Sequence, residues 1–194
     1  MTVASVDEAV VRWMTTHRWP PLNDPMVWLG NLNRLGAVWV ALALVIAAQH
    51  RSDVLRGVQL GLLTALTTLL ADSASFGVKH FVERPRPFVA DPTIEPLYAV
   101  HSSSFPAGHA ATAFAGATIV SHFAPRARPL FFALAAAIAI SRVYVGVHYP
   151  GDVIGGAALG VLVGFIAIPV VRMHDRVVST TESPLLRPRR LLRG

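Results

Sequence analysis

Three groups of polar residues interrupt an otherwise apolar chain, and together their side chains hold what a phosphoryl transfer needs. The first runs Lys79-His80-Phe81-Val82-Glu83-Arg84-Pro85-Arg86-Pro87. The second is Ser104-Phe105-Pro106-Ala107-Gly108-His109. The third extends from Ser141-Arg142 to His148-Tyr149-Pro150-Gly151-Asp152. Lys79, Arg86 and Arg142 are cations with few acids near them, and a cation in apolar surroundings needs a counter-charge, which an external anion can supply. Guanidinium groups suit phosphate because they donate in a planar fork. Pro106 stands just before a helix start, so Ala107, Gly108 and His109 fall in its first turn. Free backbone N–H groups there favour an anion, and Gly108 lets the backbone approach closely. His109, His148 and Asp152 supply nucleophile, acid and orienter without a metal.

The spacing from His148 to Asp152 carries two readings. Pro150-Gly151 breaks any helix between them, so both lie on a turn into the next element. There Asp152 serves as the N-cap, or it holds the His148 imidazole in one tautomer and stabilises its positive charge. Each of the other residues has a plain alternative as well. Lys79 can snorkel to an interface, Arg86 can touch a head group, His109 can cap backbone groups and Arg142 can pair with a carbonyl. The combination argues for chemistry, because three separated clusters must converge.

What converges them is a membrane topology. Five apolar segments reach the roughly 20 residues that span a bilayer: about Met26 to Gln49, Leu55 to Phe81, Ala107 to Phe123, Leu130 to Val147 and Val153 to Val171. Hydrophobic residues make up 53% of the 194-residue chain and charged residues 14%, against about 25% charged in soluble domains. The net charge of +6 does not mark a nucleic-acid binder. The arginines sit in the links holding Arg51 and Arg56, and Arg126 and Arg128, and then beyond the fifth segment from Arg172 to Arg193. By alternation these regions share one side, which the positive-inside rule makes cytoplasmic. The three polar clusters then share the opposite face. With no cysteine in the chain, thiol catalysis and thiolate metal sites are excluded.

Ahead of the spans, Val3, Val6, Val10, Trp13 and Met14 recur at helical spacing, with Asp7, Glu8, Arg12, Thr15 and Thr16 largely opposite. This predicts an amphipathic helix, lying in the interface or packed on the bundle, and Asp7 and Glu8 argue against a signal peptide. The expected organisation is an N-terminal amphipathic segment over 1–25, a transmembrane domain over 26–172 and a basic, disordered tail over 173–194. The fold class is all-α: a membrane bundle of five transmembrane helices, or six if the first segment also enters the bilayer.

The three clusters resemble the signature of the type-2 phosphatidic acid phosphatase superfamily: lysine, six residues, Arg-Pro; Pro-Ser-Gly-His; and Ser-Arg, five residues, His, three residues, Asp. Lys79 to Arg86-Pro87 and Ser141-Arg142 to His148 to Asp152 fit, and Pro106-Ala107-Gly108-His109 departs by having Ala107 where the family has serine. The resemblance implies that His148 is the nucleophile and forms a phosphohistidine, and that Asp152 orients it. His109 would protonate the leaving group and then activate water. Lys79, Arg86 and Arg142, with backbone N–H groups at Ala107 and Gly108, would cradle the phosphate. No metal and no cofactor is implied. The lost serine hydroxyl, about 0.5–1.5 kcal/mol for a neutral hydrogen bond, predicts tuning of rate or substrate choice and not inactivity.

The resemblance also implies a lipid phosphate or diphosphate as substrate, with undecaprenyl diphosphate and phosphatidic acid or phosphatidylglycerol phosphate ranked close together. The setting it implies is a bacterial cytoplasmic membrane, with the site on the outer face and the C-terminus cytoplasmic. Two other functions fit parts of the pattern. One is a phosphotransferase with an acceptor other than water, and the other is an anion- or lipid-binding transporter, to which the intramembrane Asp72 lends some support.

Overall fold

The computed structural model describes residues 3–49 and 54–181. The described residues are helical and contain no strand. The α-helices are α1 (Val3–Thr16), α2 (Asn23–Leu32), α3 (Ala37–Gln49), α4 (Val54–Val82), α5 (Pro87–Ala90), α6 (Gly108–Phe123), α7 (Arg128–Tyr144) and α8 (Pro150–Thr181).

The bundle is built around α6. Nearly every α6 residue from Ala110 to Ser121 is buried, and α3, α4, α7 and α8 all pack against it. Its sequence explains why: Ala110, Ala111, Ala113, Ala115, Gly116 and Ala117 present little more than backbone. The facing stripe on α8 is Gly156, Gly160 and Gly164, where a Cβ would strike Ala107 O, Ala111 O and Thr118 respectively. Small residues four apart let two helices approach until their backbones touch, which is how helices bind one another where the hydrophobic effect is weak. On the other side of α6, Trp39 and Ala43 of α3, Leu60 of α4 and Phe131, Ala135 and Ile138 of α7 form the main apolar cluster with Ala113, Ala117 and Val120.

Outward faces are apolar too: Leu62, Leu66 and Leu70 on α4, and Leu162, Phe165 and Ile166 on α8, are exposed. A soluble domain does not present such continuous apolar faces; a protein solvated by lipid does. By length and hydropathy three segments can cross a bilayer, Gly57–Ala90, Pro125–Tyr144 and Pro150–Val170. A fourth arises if Pro20–Leu32 and Arg34–Gln49, bent by 55°, make one span. The chain is a multi-pass membrane protein. The expected third segment, α6, has 16 residues, about 24 Å of helix, and falls short of the roughly 20 residues needed alone. The expected first segment is not continuous. It breaks at Asn33–Gly36, where Leu35 takes a φ of 52° and the buried Asn33 side chain ties the bend to α6 through His109 O (2.9 Å) and Thr112 Oγ1 (2.7 Å).

The N-terminal helix forms, but it packs by a different side from the one its apolar periodicity suggests. Asp7 and Val11 are buried, whereas Val6, Val10 and Trp13 are exposed. Asp7 is therefore part of the interior and not of a solvated polar face. At the other end α8 continues to Thr181, into the stretch expected as a tail; positions 182–194 lie outside the described residues.

Candidate active site

Three chain segments bring the predicted residues together at one end of the bundle. The first leaves α4. Lys79 stands in its last turn, and Glu83, at a φ of 44°, ends the helix in the left-handed conformation usual after a C-cap. That turn redirects the chain so that Arg84 and Arg86 point back over the helix ends. The second segment, 102–107, runs into the start of α6. The third is the turn 145–149 between α7 and α8.

Arg86 is buried and is the hub of the site. Its Nε donates to Ser102 O (2.6 Å), Nη1 to Val147 O (2.7 Å) and Nη2 to Ser102 Oγ (2.9 Å). Nη1 also lies 3.3 Å from Nε2 of His148. Lys79 Nζ donates to Ser103 O (2.7 Å), a carbonyl that Arg86 Nη2 approaches to 3.4 Å, so Lys79, Arg86 and His148 meet around one short segment. Arg142, fully buried, donates to Tyr98 Oη (2.6 Å), Met26 O (2.7 Å) and its neighbour's hydroxyl, Ser141 Oγ. The carbonyl pairing given as the plain alternative for Arg142 is thus present, and Lys79 and Arg86 are held by carbonyls as well, which fixes all three without neutralising them.

Each ring nitrogen of His148 has a distinct neighbour. Arginine has only donors, so Nε2 facing Arg86 is the unprotonated, lone-pair nitrogen. Nδ1 faces Oδ2 of Asp152 at 3.5 Å and carries the proton. His148 lies in the turn between two spanning segments. There burial holds its pKa down to about 4, against Asp152, which raises it, and with Arg86 adding to the lowering. The ring is therefore neutral at neutral pH, the state in which an imidazole can attack as a nucleophile.

Asp152 is completely buried. It is not the N-cap of α8, as one of the two readings had it. Because the helix begins at Pro150, Asp152 is its third residue. From there Oδ2 reaches back to the N–H of Tyr149 (2.9 Å), the reciprocal arm of a capping box. One carboxylate therefore both caps the helix and faces the His148 ring. Oδ2 also accepts from Ser104 Oγ, and Oδ1 accepts from Arg84 Nη1 (2.8 Å).

His109, in the first turn of α6, faces a cavity of about 240 Å³ lined by Asn33, Arg34, Leu35, Asp72, His109 and Thr112. The cations Lys79, Arg86 and Arg142 are all near enough for their charges to act on its ring. The Ala107 N–H, expected to face phosphate, is already used. It donates to Asp152 O (2.9 Å), because the first turn of α8 packs on the start of α6. The donors left at that helix end are the N–H groups of Gly108 and His109, neither of which has a partner among the described residues.

The sequence reading left out of the site Arg84, Ser104, Tyr98 and the hydroxyl of Ser102, which bond to predicted residues, and Asp7, which reaches Asp152 through Arg84. Arg84 and Ser104 carried a signal, as members of the first and second clusters.

Residues 64–176 match the PAP2 superfamily. The chain is 32% identical over 175 residues to phosphatidylglycerophosphatase B of Bacillus subtilis, covering 84% of this chain and 82% of that one. It is 29% identical over 153 residues to the undecaprenyl-diphosphatase of Sulfolobus acidocaldarius, covering 77% and 70%. Among solved structures, the transmembrane PAP2-type phosphatidylglycerolphosphate phosphatase of B. subtilis superposes with a TM-score of 0.69 at 27% identity, over 88% of this chain and 87% of that one.

Proposed function

The chain belongs to the PAP2 superfamily and is a phosphatase; on that premise we propose that it hydrolyses the terminal phosphate of a membrane lipid through a phosphohistidine on His148. The Nε2 lone pair attacks phosphorus opposite the leaving oxygen. The P–O bond breaks, and the departing lipid oxygen takes a proton from His109. In the second half His109 takes a proton from water, the water oxygen attacks phosphorus, and the N–P bond breaks to free inorganic phosphate and His148. Lys79, Arg86 and Arg142, with the N–H groups of Gly108 and His109, stabilise charge on the phosphoryl oxygens as it passes between the two histidines. Asp152 holds the Nδ1 proton and balances the positive charge the ring gains when Nε2 bonds to phosphorus. The observation that supports this assignment most is the His148 geometry: one nitrogen aimed at the Arg86 guanidinium, the other at a buried carboxylate.

The substrate we favour is phosphatidylglycerol phosphate, because the curated relative at 32% identity and a solved structure at a TM-score of 0.69, each matching over more than four-fifths of both chains, carry that activity in their names. Undecaprenyl diphosphate is the second reading, supported by the relative named for it. In this reading α6 counts as a fifth span sheltered inside the others. The arginine-bearing links face the cytoplasm and the site faces outward.

The test is phosphate release by purified protein in detergent with EDTA present. Phosphatidylglycerol phosphate, phosphatidic acid and undecaprenyl diphosphate are compared, with His148→Ala as control. Release from phosphatidylglycerol phosphate, lost in the variant, supports both nucleophile and substrate. Preferential release from undecaprenyl diphosphate transfers the assignment to the second reading. Activity surviving His148→Ala refutes the nucleophile. Phosphate found on an added alcohol, in place of free phosphate, identifies a transferase.

A further inference from the structure

Asp7 lies more than 140 residues before Asp152 in sequence, yet one arginine joins them. Arg84 donates through Nη1 to Asp152 Oδ1 (2.8 Å) and through Nη2 to Asp7 Oδ2 (2.8 Å). The guanidinium lies over the Tyr149 ring, 4.0 Å from its centroid. The other oxygen of Asp7 accepts the N–H of Gly151 (2.9 Å), an orphan donor in the first turn of α8. Gly151 is needed for that approach, since a Cβ there would come within 2.7 Å of Asp7 Oδ2. Asp7 is 6% exposed, and a carboxylate is buried this deeply only where its partners hold it. The rest of the N-terminal segment is fastened beside it. Arg12 pairs with Asp91 (2.6 Å), and Arg18 donates to the carbonyls of Tyr144, Val145 and Glu95.

The charges give this contact a consequence for the chemistry. Asp7 and Arg84 cancel, which leaves the negative charge of Asp152 to His148. Without Asp7, Arg84 has a single carboxylate partner and neutralises Asp152. The positive ring formed when Nε2 bonds to phosphorus would then have no counter-ion. In a buried site a charge next to a titrating or reacting group acts at close to full strength.

We propose that Asp7 of α1 is a positioning residue for the nucleophile: by sharing Arg84 and holding the first turn of α8, it reserves Asp152 for His148. This rests on His148 being the nucleophile. It adds that the N-terminal helix is a working part of the site, acting on the phosphorylation step and not on substrate binding. The phosphate-binding cations Lys79, Arg86 and Arg142 make no contact with Asp7.

The experiment is single-turnover phosphorylation, quenched in alkali to preserve phosphohistidine, with radiolabelled lipid phosphate and wild type, Asp7→Asn, Asp7→Glu, Gly151→Ala and His148→Ala. Asparagine still offers an oxygen to Gly151 but turns an NH2 toward Arg84. Asp7→Asn should slow the rate constant by about tenfold to a hundredfold, the range for loss of a supporting partner. The substrate concentration for half-maximal rate should stay within about twofold. Asp7→Glu should recover part of the rate, and Gly151→Ala, which forces Asp7 away, should repeat the loss. The rate constant does not depend on the folded fraction, which sets only the amplitude. A variant that loses amplitude while keeping the wild-type rate constant therefore overturns the proposal, and so does a wild-type rate in both Asp7→Asn and Gly151→Ala. If wild type itself forms no phosphohistidine, or His148→Ala still does, the nucleophile assignment fails and takes this proposal with it. Failure confined to the Asp7 and Gly151 variants leaves that assignment standing.

Discussion

Replacing Gly160 by alanine adds one methyl group about 12 Å along α8 from Asp152, yet it should disturb both the bundle and the reaction. The added Cβ would collide with Ala111 O and sit 3.0 Å from Ala111 Cα. Both are backbone atoms of the central helix, so neither can rotate away; α6 and α8 must separate by about 1 Å. Overpacking of this kind costs about 1–3 kcal/mol. Alanine also favours a helix over glycine by about 1 kcal/mol, so the right control is a helical glycine with room. Gly77 on α4 is that control, since a Cβ there meets nothing within 4 Å. The two variants share the helix gain, and their difference isolates the packing cost. At about 2–4 °C per kcal/mol for a chain of this size, Gly160→Ala should melt roughly 2–12 °C below Gly77→Ala in the same detergent. The reaction should suffer as well. The Ala107 N–H to Asp152 O bond joins the start of α6, which carries His109, to the start of α8, which carries Asp152. A misplacement of about 1 Å between reacting groups can cost on the order of a hundredfold, so kcat should fall in Gly160→Ala and hold in Gly77→Ala. Equal melting and equal kcat in the two variants would refute the claim that backbone contact between α6 and α8 sets the geometry of the site.

Two further outcomes follow from single side chains. His148 must be neutral to attack, so activity falls as pH drops through its pKa in the folded enzyme. Because burial holds that value to about 4, the acid limb of kcat/KM should lie well below the roughly 6.5 of a free histidine. Arg86 contributes to the lowering, so Arg86→Gln should move the limb upward as well as weaken binding. A limb near pH 6.5 that Arg86→Gln does not shift would belong to the substrate phosphate and would contradict the assignment. At the end of α4, Glu83 holds a φ of 44°, a conformation that costs an L-residue about 1–2 kcal/mol, while glycine gives back about 0.5–1 kcal/mol in chain entropy. Glu83→Gly should therefore raise the melting temperature slightly and leave kcat unchanged; a lower melting temperature would mean that the glutamate side chain contributes something the backbone argument omits.

The convergence of the three polar clusters was legible because their spacings match the turns that carry them. From Lys79 to Arg86 the chain must finish one helical turn and reverse, and from His148 to Asp152 it must enter a helix within four residues. What was not legible came from partners distant in sequence. Asp7 looked like part of a solvated face because helical periodicity reports that a helix has two faces, not which of them meets a bundle. Here the face with Asp7 and Val11 is buried because Arg84 and the N–H of Gly151 need an acceptor. The use of the Ala107 N–H by Asp152 was equally out of reach, since it depends on how closely α8 approaches α6. The break at Asn33–Gly36 was hidden because the flanking residues are apolar enough for one continuous span; only the buried amide of Asn33, satisfied by α6 and by Trp39 Nε1, shows why the chain bends there.

Two arginines in one short segment are held by opposite kinds of partner. Arg84 and Arg86 are separated only by Pro85, yet Arg84 takes two carboxylates, Asp7 and Asp152, while Arg86 is held by the carbonyls of Ser102 and Val147 and the hydroxyl of Ser102. Lys79 and Arg142 are likewise held by carbonyl or hydroxyl oxygens, and among the described residues none of the three makes an ion pair. Dipoles satisfy a cation's hydrogen bonds but cannot cancel its charge. The three cations of the resemblance motif therefore keep their positive charge, and the arginine outside that motif is the one paired with carboxylates. The loss of the family serine at Ala107 fits the same division. Its backbone is committed to joining α6 to α8, and beside three cations a single neutral hydroxyl adds only slightly.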